Sequence, residues 1–188
     1  ALYLVGSTIH NLLEDKPLTE LADIDFVSNQ PPLPTTGFQA NSYMPRLFSN
    51  YIGDSGHTYK CECFYNPLAP QEMIDIDVRN RDFTINSLYC DADGNLHDPT
   101  GLGFLDLEHR LIRTIISSRT SLDDDPIRIL RAIKLILKGF RVTDELDYAL
   151  HHWKPSDALP SKLGHINAVM AKLLSVGEDT PQLMGLLK

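Results

Sequence analysis

The sequence predicts an α+β protein in which a small mixed sheet flanked by helices is followed by a helical second part. Short strand-like runs separated by turn-forming residues fill the chain up to about residue 115. Beyond about residue 120, apolar residues recur at helical spacing. The change of pattern indicates a mixed domain first and helices afterwards.

The first part of the chain is expected to hold several short strands. Residues 29–56 are rich in Pro, Asn, Ser and Gly and are expected to be loop, with one short helix near "MPRLFSNYI". A short helix is expected near "TIHNLL", and a turn at "DADGN" before a strand that begins at "LHD". The strand predictions are "LYLVGS", "DIDFVS", "HTYKCECFY" and "EMIDIDV", the last two as a hairpin candidate.

The second part is expected to begin with the helix in "DDDPIRILRAIKLILKGF". Asp125 stands at its N-cap, Pro126 at its first helical position and Gly139 at its stop. Two further helices are expected in "TDELDYALHHW" and "GHINAVMAKLLSV". The apolar stripe of the first helix is Ile127, Leu130, Ile133 and Leu137.

The composition is that of a globular protein outside the membrane. The chain has 188 residues, 43% hydrophobic and 22% charged, and no apolar run approaches the ~20 residues of a membrane span. Three cysteines, an odd number, favour a reducing compartment such as the cytoplasm. Cys61 and Cys63, two positions apart, could reach one ion, but packing within a strand is the better interpretation.

Charge is distributed unevenly along the chain. The formal net charge is −8, with −11 over residues 1–109, +5 over residues 110–141 and −2 over residues 142–188. An acidic part joined to one short basic segment suits a metal site beside an anion site. A solvated basic helix face is the alternative.

Two aspartates in "ADIDFV" are the first candidates for chemistry. Alternation along a strand places Asp23 and Asp25 on one face, where like charges are unfavourable unless a cation lies between them. Hard oxygen ligands favour Mg²⁺. Asp75 and Asp77 alternate in the same way in "MIDIDV", and three or four converging carboxylates could hold two ions for a phosphoryl displacement. An exposed strand without metal is the alternative.

Gly6 and Ser7 form a second candidate feature. A strand is expected to end there and a helix to begin, so the backbone amides can approach an anion closely. An ordinary strand-to-helix turn is the alternative.

Four motifs in one order resemble a known family. They are "LVGSTIHNLL…DIDFV", "RNRDFTINSL", "DPTGLGFLDLEHRLIRTI" and "DDDPIRILRAIKLILKGF". Together they are similar to the successive motifs of bacterial-type tRNA CCA-adding enzymes and poly(A) polymerases, within the DNA polymerase beta-like nucleotidyltransferase superfamily. The resemblance covers residues 2 to about 141, and "RDFTIN" followed by "DPIRILRA" is its most specific part.

The resemblance implies a reaction and a domain organisation. Residues 1–115 would be a nucleotidyltransferase head, 116–150 a helical neck with a base-reading motif, and 151–188 the start of a helical body. The implied reaction adds AMP, with CMP as the second candidate, to RNA 3′ ends, as in tRNA CCA addition or polyadenylation. Two Mg²⁺ ions would be the cofactor of this reaction, and ATP, with CTP as the second candidate, would be its substrate. The alternatives are nucleotidyl transfer to a protein or small molecule, and a non-catalytic nucleotide- or RNA-binding relative.

The resemblance also implies roles for single residues. Asp23 and Asp25 would bind metal, and Asp75 would be the third catalytic carboxylate, with Asp77 and Glu62 as weaker candidates. Asp82 would contact the ribose, while Asp125 and Arg128, expected on one helix face with Asp124, would read a base edge. Helix caps and surface ion pairs are the structural alternatives. The implied nucleotide-binding residues are Gly6, Ser7, Arg81, Asp82, Asn86, Asp124, Asp125, Arg128 and Arg131.

Overall fold

The computed structural model of the protein describes residues 1–21, 23–30, 39–40, 46–52 and 58–154. The chain divides into two compact units, with the boundary between Leu107 and Glu108. The first unit combines a sheet with helices and the second is mainly helical, which confirms the α+β fold class.

Seven strands of the first unit form one sheet with the order β3-β4-β5-β2-β1-β6-β7. β2 pairs in parallel with β5 and antiparallel with β1, so the sheet is mixed as predicted. The strands are β1 (Leu2–Val5), β2 (Ile24–Ser28), β3 (Gln39–Ala40), β4 (Arg46–Ile52), β5 (Thr58–Tyr65), β6 (Tyr89–Asp91) and β7 (Leu96–His97).

Three helices and two short 3₁₀ helices accompany the sheet. The α-helices are α1 (Ser7–Leu13), α2 (Pro70–Asn80) and α3 (Gly103–Glu108), and the 3₁₀ helices are Leu18–Glu20 and Thr84–Asn86. The strands at "LYLVGS", "DIDFVS" and "HTYKCECFY", the helix at "TIHNLL" and the short strand at "LHD" are therefore confirmed.

Helix α2 covers one face of the sheet. Met73 and Ile74 of the helix pack against Val5, Val27 and Tyr89 of three neighbouring strands, and all five side chains are buried. Each such burial stabilises the fold by roughly 1.5–3 kcal/mol relative to exposure. This packing holds the first half of α2 against β1, β2 and β6.

The prediction of a helix near "MPRLFSNYI" is wrong. Residues Arg46–Ile52 form β4, which pairs antiparallel with β5 over seven residues. Leu, Phe, Tyr and Ile are abundant in this segment and favour a strand once a partner is present. Ladder pairing with β5 therefore decides the conformation.

The prediction of a strand at "EMIDIDV" is also wrong, because these residues lie inside α2. Pro70 stands in the first turn, where its missing N–H is tolerated, and Glu72 complements the helix dipole there. The buried side chains Met73, Ile74 and Asp77 follow helical spacing. Alternation of Ile and Asp imitated a strand, but packing against the sheet selects the helix.

The described part of the second unit, up to residue 154, contains three helices and a two-stranded parallel sheet. The two strands of this sheet, of two residues each, were not predicted from the sequence. The "TDELDYALHHW" helix is confirmed, whereas the "GHINAVMAKLLSV" helix and residues 155–188 lie outside the described residues. The elements are β8 (Leu111–Ile112), α4 (Ser118–Asp124), α5 (Ile127–Leu137), β9 (Arg141–Val142) and α6 (Asp144–His152).

Helix α5 keeps the predicted stop and three of the four predicted stripe residues, with Ile129 rather than Ile127 packed against the cluster. Leu130 and Ile133 form its buried cluster, with Leu137 packed against them. Gly139 has φ +86°, and its N–H donates to the Ile136 carbonyl, as a glycine stop requires. No helix in the described part of the chain combines the length and apolar character that crossing a bilayer demands.

Candidate functional site

Two carboxylates lie side by side at one end of the sheet. Asp25 of β2 is the register partner of Glu62 of β5. Register partners share a face and neighbouring strands are about 4.8 Å apart. Because Val27 and Phe64 are partners on that same face and belong to the cluster around α2, both carboxylates lie on the helix-covered side.

Gly6 brings the backbone close to Asp25. Its φ is +70°, a conformation that suits glycine. A Cβ built there would lie 3.2 Å from Asp25 Oδ2 and 2.9 Å from Arg81 Nη1. The turn between β1 and α1 therefore has a carboxylate and a guanidinium against the glycine, and any side chain at position 6 would collide with them.

Helix α1 is tied to the same strand by Thr8. This buried residue accepts a hydrogen bond from the Asp25 backbone N–H at 3.0 Å through its hydroxyl oxygen. The position of Asp25 is thus fixed by α1 as well as by its two neighbouring strands. Ser7, the first residue of α1, is exposed at the turn.

Arg81, just after α2, is held by three neighbours. Its Nε donates to Asp77 Oδ2 at 2.6 Å and to the Tyr89 hydroxyl at 3.2 Å. Its Nη1 donates to the Asn86 carbonyl at 3.2 Å. The guanidinium therefore has a fixed orientation beside Gly6.

Burial and charge act in opposite directions on this group. Burial disfavours the charged form of Arg81, but the Asp77 carboxylate and the Tyr89 hydroxyl more than offset it, so its pKa is raised above the ordinary value. Burial, with Asp77 adding to it and Arg81 opposing it, raises the pKa of Tyr89. At neutral pH, Arg81 is therefore a cation and Tyr89 a neutral phenol.

Asp82 and Asn86 form the next part of the site. Asp82 is 5% exposed, and its Oδ1 accepts from the Phe83 backbone N–H at 2.7 Å and from Asn86 Nδ2 at 3.0 Å. Asp82 thus holds its local turn through these two bonds, although the 3₁₀ helix that follows has Phe83 at its N-cap and no side-chain cap bond, and Asp82 is linked through Asn86 to Arg81. Thr84, inside the same 3₁₀ helix, donates its hydroxyl hydrogen to the buried Asp106 at 2.7 Å, which anchors the turn from below.

The expected position of Asp75 beside Asp25 is wrong. Asp75 lies on the exposed side of α2, where Gln71 Nε2 donates to it at 2.9 Å. Residues two apart on a helix face different directions, so Asp77 is buried and Asp75 is not. Glu62, ranked behind Asp75 from the sequence, lies on the strand beside Asp25. Its signal was its place inside the well-defined strand "HTYKCECFY".

The carboxylates suit a divalent cation by their donor type. Asp25 and Glu62 offer hard oxygens, and Asp23 is exposed one residue before β2. Over residues 1–21, 23–30, 39–40, 46–52 and 58–154, no group of three or more His, Cys, Asp or Glu residues is close enough to hold a metal alone. Mg²⁺ often takes one or two carboxylates and completes its shell with water and substrate phosphates, so the pair fits that ion.

The predicted base-reading residues lie in the second unit. Asp124 ends α4, Asp125 is extended, and Arg128 belongs to α5, so the three do not share one helix face as expected. Asp125 Oδ1 accepts from the Ile127 backbone N–H at 3.3 Å. The N-cap position of α5 is Pro126, so the prediction of Asp125 as N-cap and Pro126 as first helical residue is wrong by one position. Arg131 is exposed on α5.

Arg128 is 6% exposed, and so it is not a surface ion-pair residue. Its Nη1 donates to the hydroxyl oxygen of Ser121 at 2.8 Å and to the Ser121 carbonyl at 3.3 Å. The guanidinium therefore bridges α5 to α4 across the break at Asp125. Sequence reasoning missed Ser121, which has no motif of its own.

The cysteines are packing residues of the sheet. Cys63 is buried, and burial followed by the charge of Cys61 raises its pKa to about 11. Burial also raises the pKa of Cys61. Both thiols are thus protonated at neutral pH and are poor metal ligands.

Comparison with known proteins gives matches across the first unit and beyond. The family model described as "Poly A polymerase head domain" matches residues 55–113. The Multifunctional CCA protein of Vibrio vulnificus (strain CMCP6) is 40% identical over 96 residues, which are 48% of this chain and 22% of that protein. The chain spans less than half the length of the curated relatives it matches.

Solved structures agree in fold. The Thermotoga maritima CCA-adding enzyme complexed with tRNA-CCA has a TM-score of 0.58 and 25% identity, covering 79% of this chain and 36% of its own. A CCA-adding enzyme in complex with ATP has a TM-score of 0.60 and 26% identity, covering 80% of this chain and 37% of its own. The similarity therefore extends beyond the segment that the family model matches.

Proposed function

We propose that this chain carries the head region of a CCA-adding enzyme or poly(A) polymerase and that it transfers a nucleoside monophosphate from ATP to the 3′-hydroxyl of an RNA. CTP is the second nucleotide to test as a substrate, and tRNA is the first RNA to test as an acceptor. The 3′-oxygen forms a bond to the α-phosphorus, the bond to the bridging oxygen breaks, and pyrophosphate leaves. The hydroxyl proton passes to solvent.

One observation carries this proposal: a glycine turn, a carboxylate pair and a half-buried guanidinium meet at one place. Gly6 lies against both Asp25 and Arg81, and Glu62 is the neighbour of Asp25. A guanidinium suits phosphate oxygens, and a bare backbone turn lets phosphates approach. The arrangement suits a triphosphate lying between cationic and carboxylate groups.

Asp23, Asp25 and Glu62 would hold Mg²⁺, as one or two ions. When bound, the metal lowers the pKa of the attacking hydroxyl and offsets phosphate charge. The remaining roles belong to the chain itself. Arg81 orients the triphosphate beside Gly6 and Ser7. The Asp82 carboxylate accepts hydrogen bonds from the ribose hydroxyls, and the Asn86 amide donates to them.

Base choice is proposed for the second unit. Asp125 can accept from an exocyclic amine and Arg128 can donate to ring acceptors, so the pair could read a base edge without a template. Arg131, exposed on α5, is proposed as a further nucleotide-binding residue of the second unit. With free cysteines and no described membrane helix, we propose that the reaction takes place in the cytoplasm.

A labelled-nucleotide incorporation assay tests the proposal. The full chain is incubated with Mg²⁺, labelled ATP or CTP, and either tRNA lacking its 3′ end, mixed RNA or a protein extract. Label on RNA supports the proposal, with tRNA preferred if CCA addition is the reaction. Label on protein would replace it with the second reaction class. Nucleotide binding without any product would indicate a non-catalytic relative.

A further inference from the structure

We propose that the Tyr89 hydroxyl positions Arg81 for the triphosphate, so that Tyr89 sets nucleotide affinity without touching the nucleotide. This inference rests on the proposed function for its ligand and on the contacts of the first unit for its geometry. Tyr89 belongs to β6 and was not predicted as a functional residue.

The Tyr89 side chain is fully buried, at 0% exposure. A buried phenol needs hydrogen-bond partners, because a lost one is costly. Its hydroxyl donates to Asp77 Oδ2 at 2.7 Å and accepts from Arg81 Nε at 3.2 Å. Since Arg81 Nε also donates to the same Asp77 oxygen, the three groups form a closed triangle.

The triangle determines where the guanidinium points. The Arg81 guanidinium is planar, so fixing its Nε and Nη1 atoms also fixes the direction of Nη2. Nε is held by Asp77 and Tyr89, and Nη1 by the Asn86 carbonyl. The guanidinium carbon also lies 5.4 Å from the centre of the Tyr89 ring, within the range of a cation–π contact.

The held guanidinium faces the glycine turn. Nη1 lies 2.9 Å from the point that a Cβ at Gly6 would occupy. No other hydrogen bond of Arg81 is formed within the described residues beyond those to Asp77, Tyr89 and Asn86, so Nη2 has donors to offer. Without the Tyr89 hydroxyl, Asp77 alone would hold Nε, and the fork could pivot about that single carboxylate.

Tyr89→Phe in the full chain tests this role, because it removes the hydroxyl and keeps the ring. Tyr3→Phe is the matched control. Tyr3 meets the Tyr89 ring edge to face at 6.3 Å, and its hydroxyl has no hydrogen bond within the described residues. Three quantities are measured: hydrogen exchange at the Arg81 Nε–H by NMR, ATP affinity by calorimetry, and KM with kcat for incorporation.

We expect faster exchange at Arg81 Nε–H in Tyr89→Phe, with ATP affinity weaker and KM higher by about three- to tenfold, the effect of one hydrogen bond. We expect kcat to stay within about twofold and Tyr3→Phe to match the wild type. Unchanged exchange at Arg81, or unchanged ATP affinity, would overturn the inference. If the wild-type chain binds ATP but incorporates no nucleotide, the proposed transfer is wrong. The inference about Tyr89 is then decided by hydrogen exchange at Arg81 and by ATP affinity alone.

A second variant separates positioning from packing. In an Arg81→Lys background, the ammonium cannot be oriented as a fork, so Tyr89→Phe should add little further loss of ATP affinity. If Tyr89→Phe weakens ATP binding equally in both backgrounds, Tyr89 acts through packing alone and the inference is wrong.

Discussion

In the sheet, Asp25 is the register partner of Val5 on one neighbouring strand and of Glu62 on the other. Two carboxylates on adjacent strands repel each other when nothing positive lies between them. The protein keeps this arrangement although an apolar residue would fit the strand. At the residue scale, this pair is the strongest indication that the end of the sheet serves a ligand.

Asp25→Ala is expected to abolish nucleotide transfer while thermal stability stays equal or rises slightly. The hydrogen bond from the residue 25 backbone to Thr8 survives this change, and one of two neighbouring carboxylates is removed. Activity and melting temperature are measured together, with Asp23→Ala alongside and the exposed Asp93→Ala as control. If both Asp25→Ala and Asp23→Ala keep more than a few per cent of activity, the carboxylate assignment is wrong.

Asp82 can be both a cap and a ribose contact, and two variants divide these roles. Asp82→Ala should lose about 1 kcal/mol of stability and discrimination between ribo- and deoxyribonucleotides. Asp82→Asn keeps an acceptor for the Phe83 N–H, so it should lose the sugar preference with most stability retained.

The control for Asp82 is Asp98→Ala. Asp98 accepts from the Thr100 and Gly101 backbone N–H groups and should affect stability only. A sugar preference that survives in both Asp82 variants would identify Asp82 as a cap alone.

At the scale of elements, the break between α4 and α5 decides how Arg128 can act. The chain is extended at Asp125, and Arg128 crosses the break to bond Ser121 on the preceding helix. The side chain is therefore buried and oriented before any base arrives. Such an arrangement favours selectivity over simple electrostatic attraction.

Arg128→Ala is expected to erode preference among ATP, CTP, GTP and UTP by about ten- to a hundredfold, since a good bidentate contact carries ~1–3 kcal/mol of discrimination. The variant should also be less stable, because the Ser121 hydroxyl and carbonyl oxygens lose the hydrogen bonds that Arg128 Nη1 donates to them. Relative incorporation rates are compared well below the melting temperature, with Arg119→Ala, an exposed ion-pair residue, as control. Preference retained within about twofold would count against base reading by this helix.

The β6–β7 hairpin contributes a measurable dependence on acid. Hydrogen bonds from the Asn95 side chain and then from His97 lower the pKa of Asp91 from 3.8 to about 2. Because the folded value lies below the unfolded one, the contribution is complete above about pH 4 and is lost as pH falls through about 2.

Asp91→Asn should therefore differ most from the wild type in free energy of unfolding near pH 5, and progressively less toward about pH 2. Urea unfolding at a series of pH values measures the difference, with Asp93→Asn in the same turn as control. Parallel pH profiles for the wild type and Asp91→Asn would show that the hairpin bonds do not stabilise the charged carboxylate.

At the scale of the whole molecule, charge is the feature that separates the two parts of the chain. Residues 1–109 carry a net −11 and residues 110–141 a net +5. A polyanion such as RNA should meet the chain mainly through the basic segment, and its affinity should fall steeply with salt.

Arg131→Ala is expected to weaken binding of tRNA lacking its 3′ end and to lower the slope of log affinity against log salt by about 1. Arg79→Ala is the matched control, since Arg79 is equally exposed but lies outside the basic segment. Fluorescence anisotropy across a salt series gives both slopes. Equal effects of the two variants would show that the basic segment has no special part in RNA binding.

The local sequence pattern was sufficient to predict α5 and the two strands that carry the carboxylate pair. "DIDFVS" and "HTYKCECFY" are strands by alternation and composition, and Gly139 ends α5 as its conformation allows. The prediction failed where neighbours decide. Asp75 and Asp77 alternate like strand residues, yet packing of Met73 and Ile74 on the sheet makes their segment a helix.

The candidate site followed the same division. Gly6, Asp25 and Arg81 were predicted from motifs and lie together. Local spacing did not indicate that Glu62, ranked behind Asp75, lies beside Asp25, or that Tyr89 bonds Arg81, because strand order and a buried hydrogen-bond triangle depend on tertiary structure.

The parallel pairing of β2 with β5 also sets an order of events during folding. Asp25 and Glu62 are 37 positions apart in the sequence, and β5 lies between β2 and β4 in the sheet. Closing so long a segment is slow, and non-local parallel pairing tends to come late. Chains that have not yet closed this segment lack the carboxylate pair, so we expect the candidate site to form late in folding.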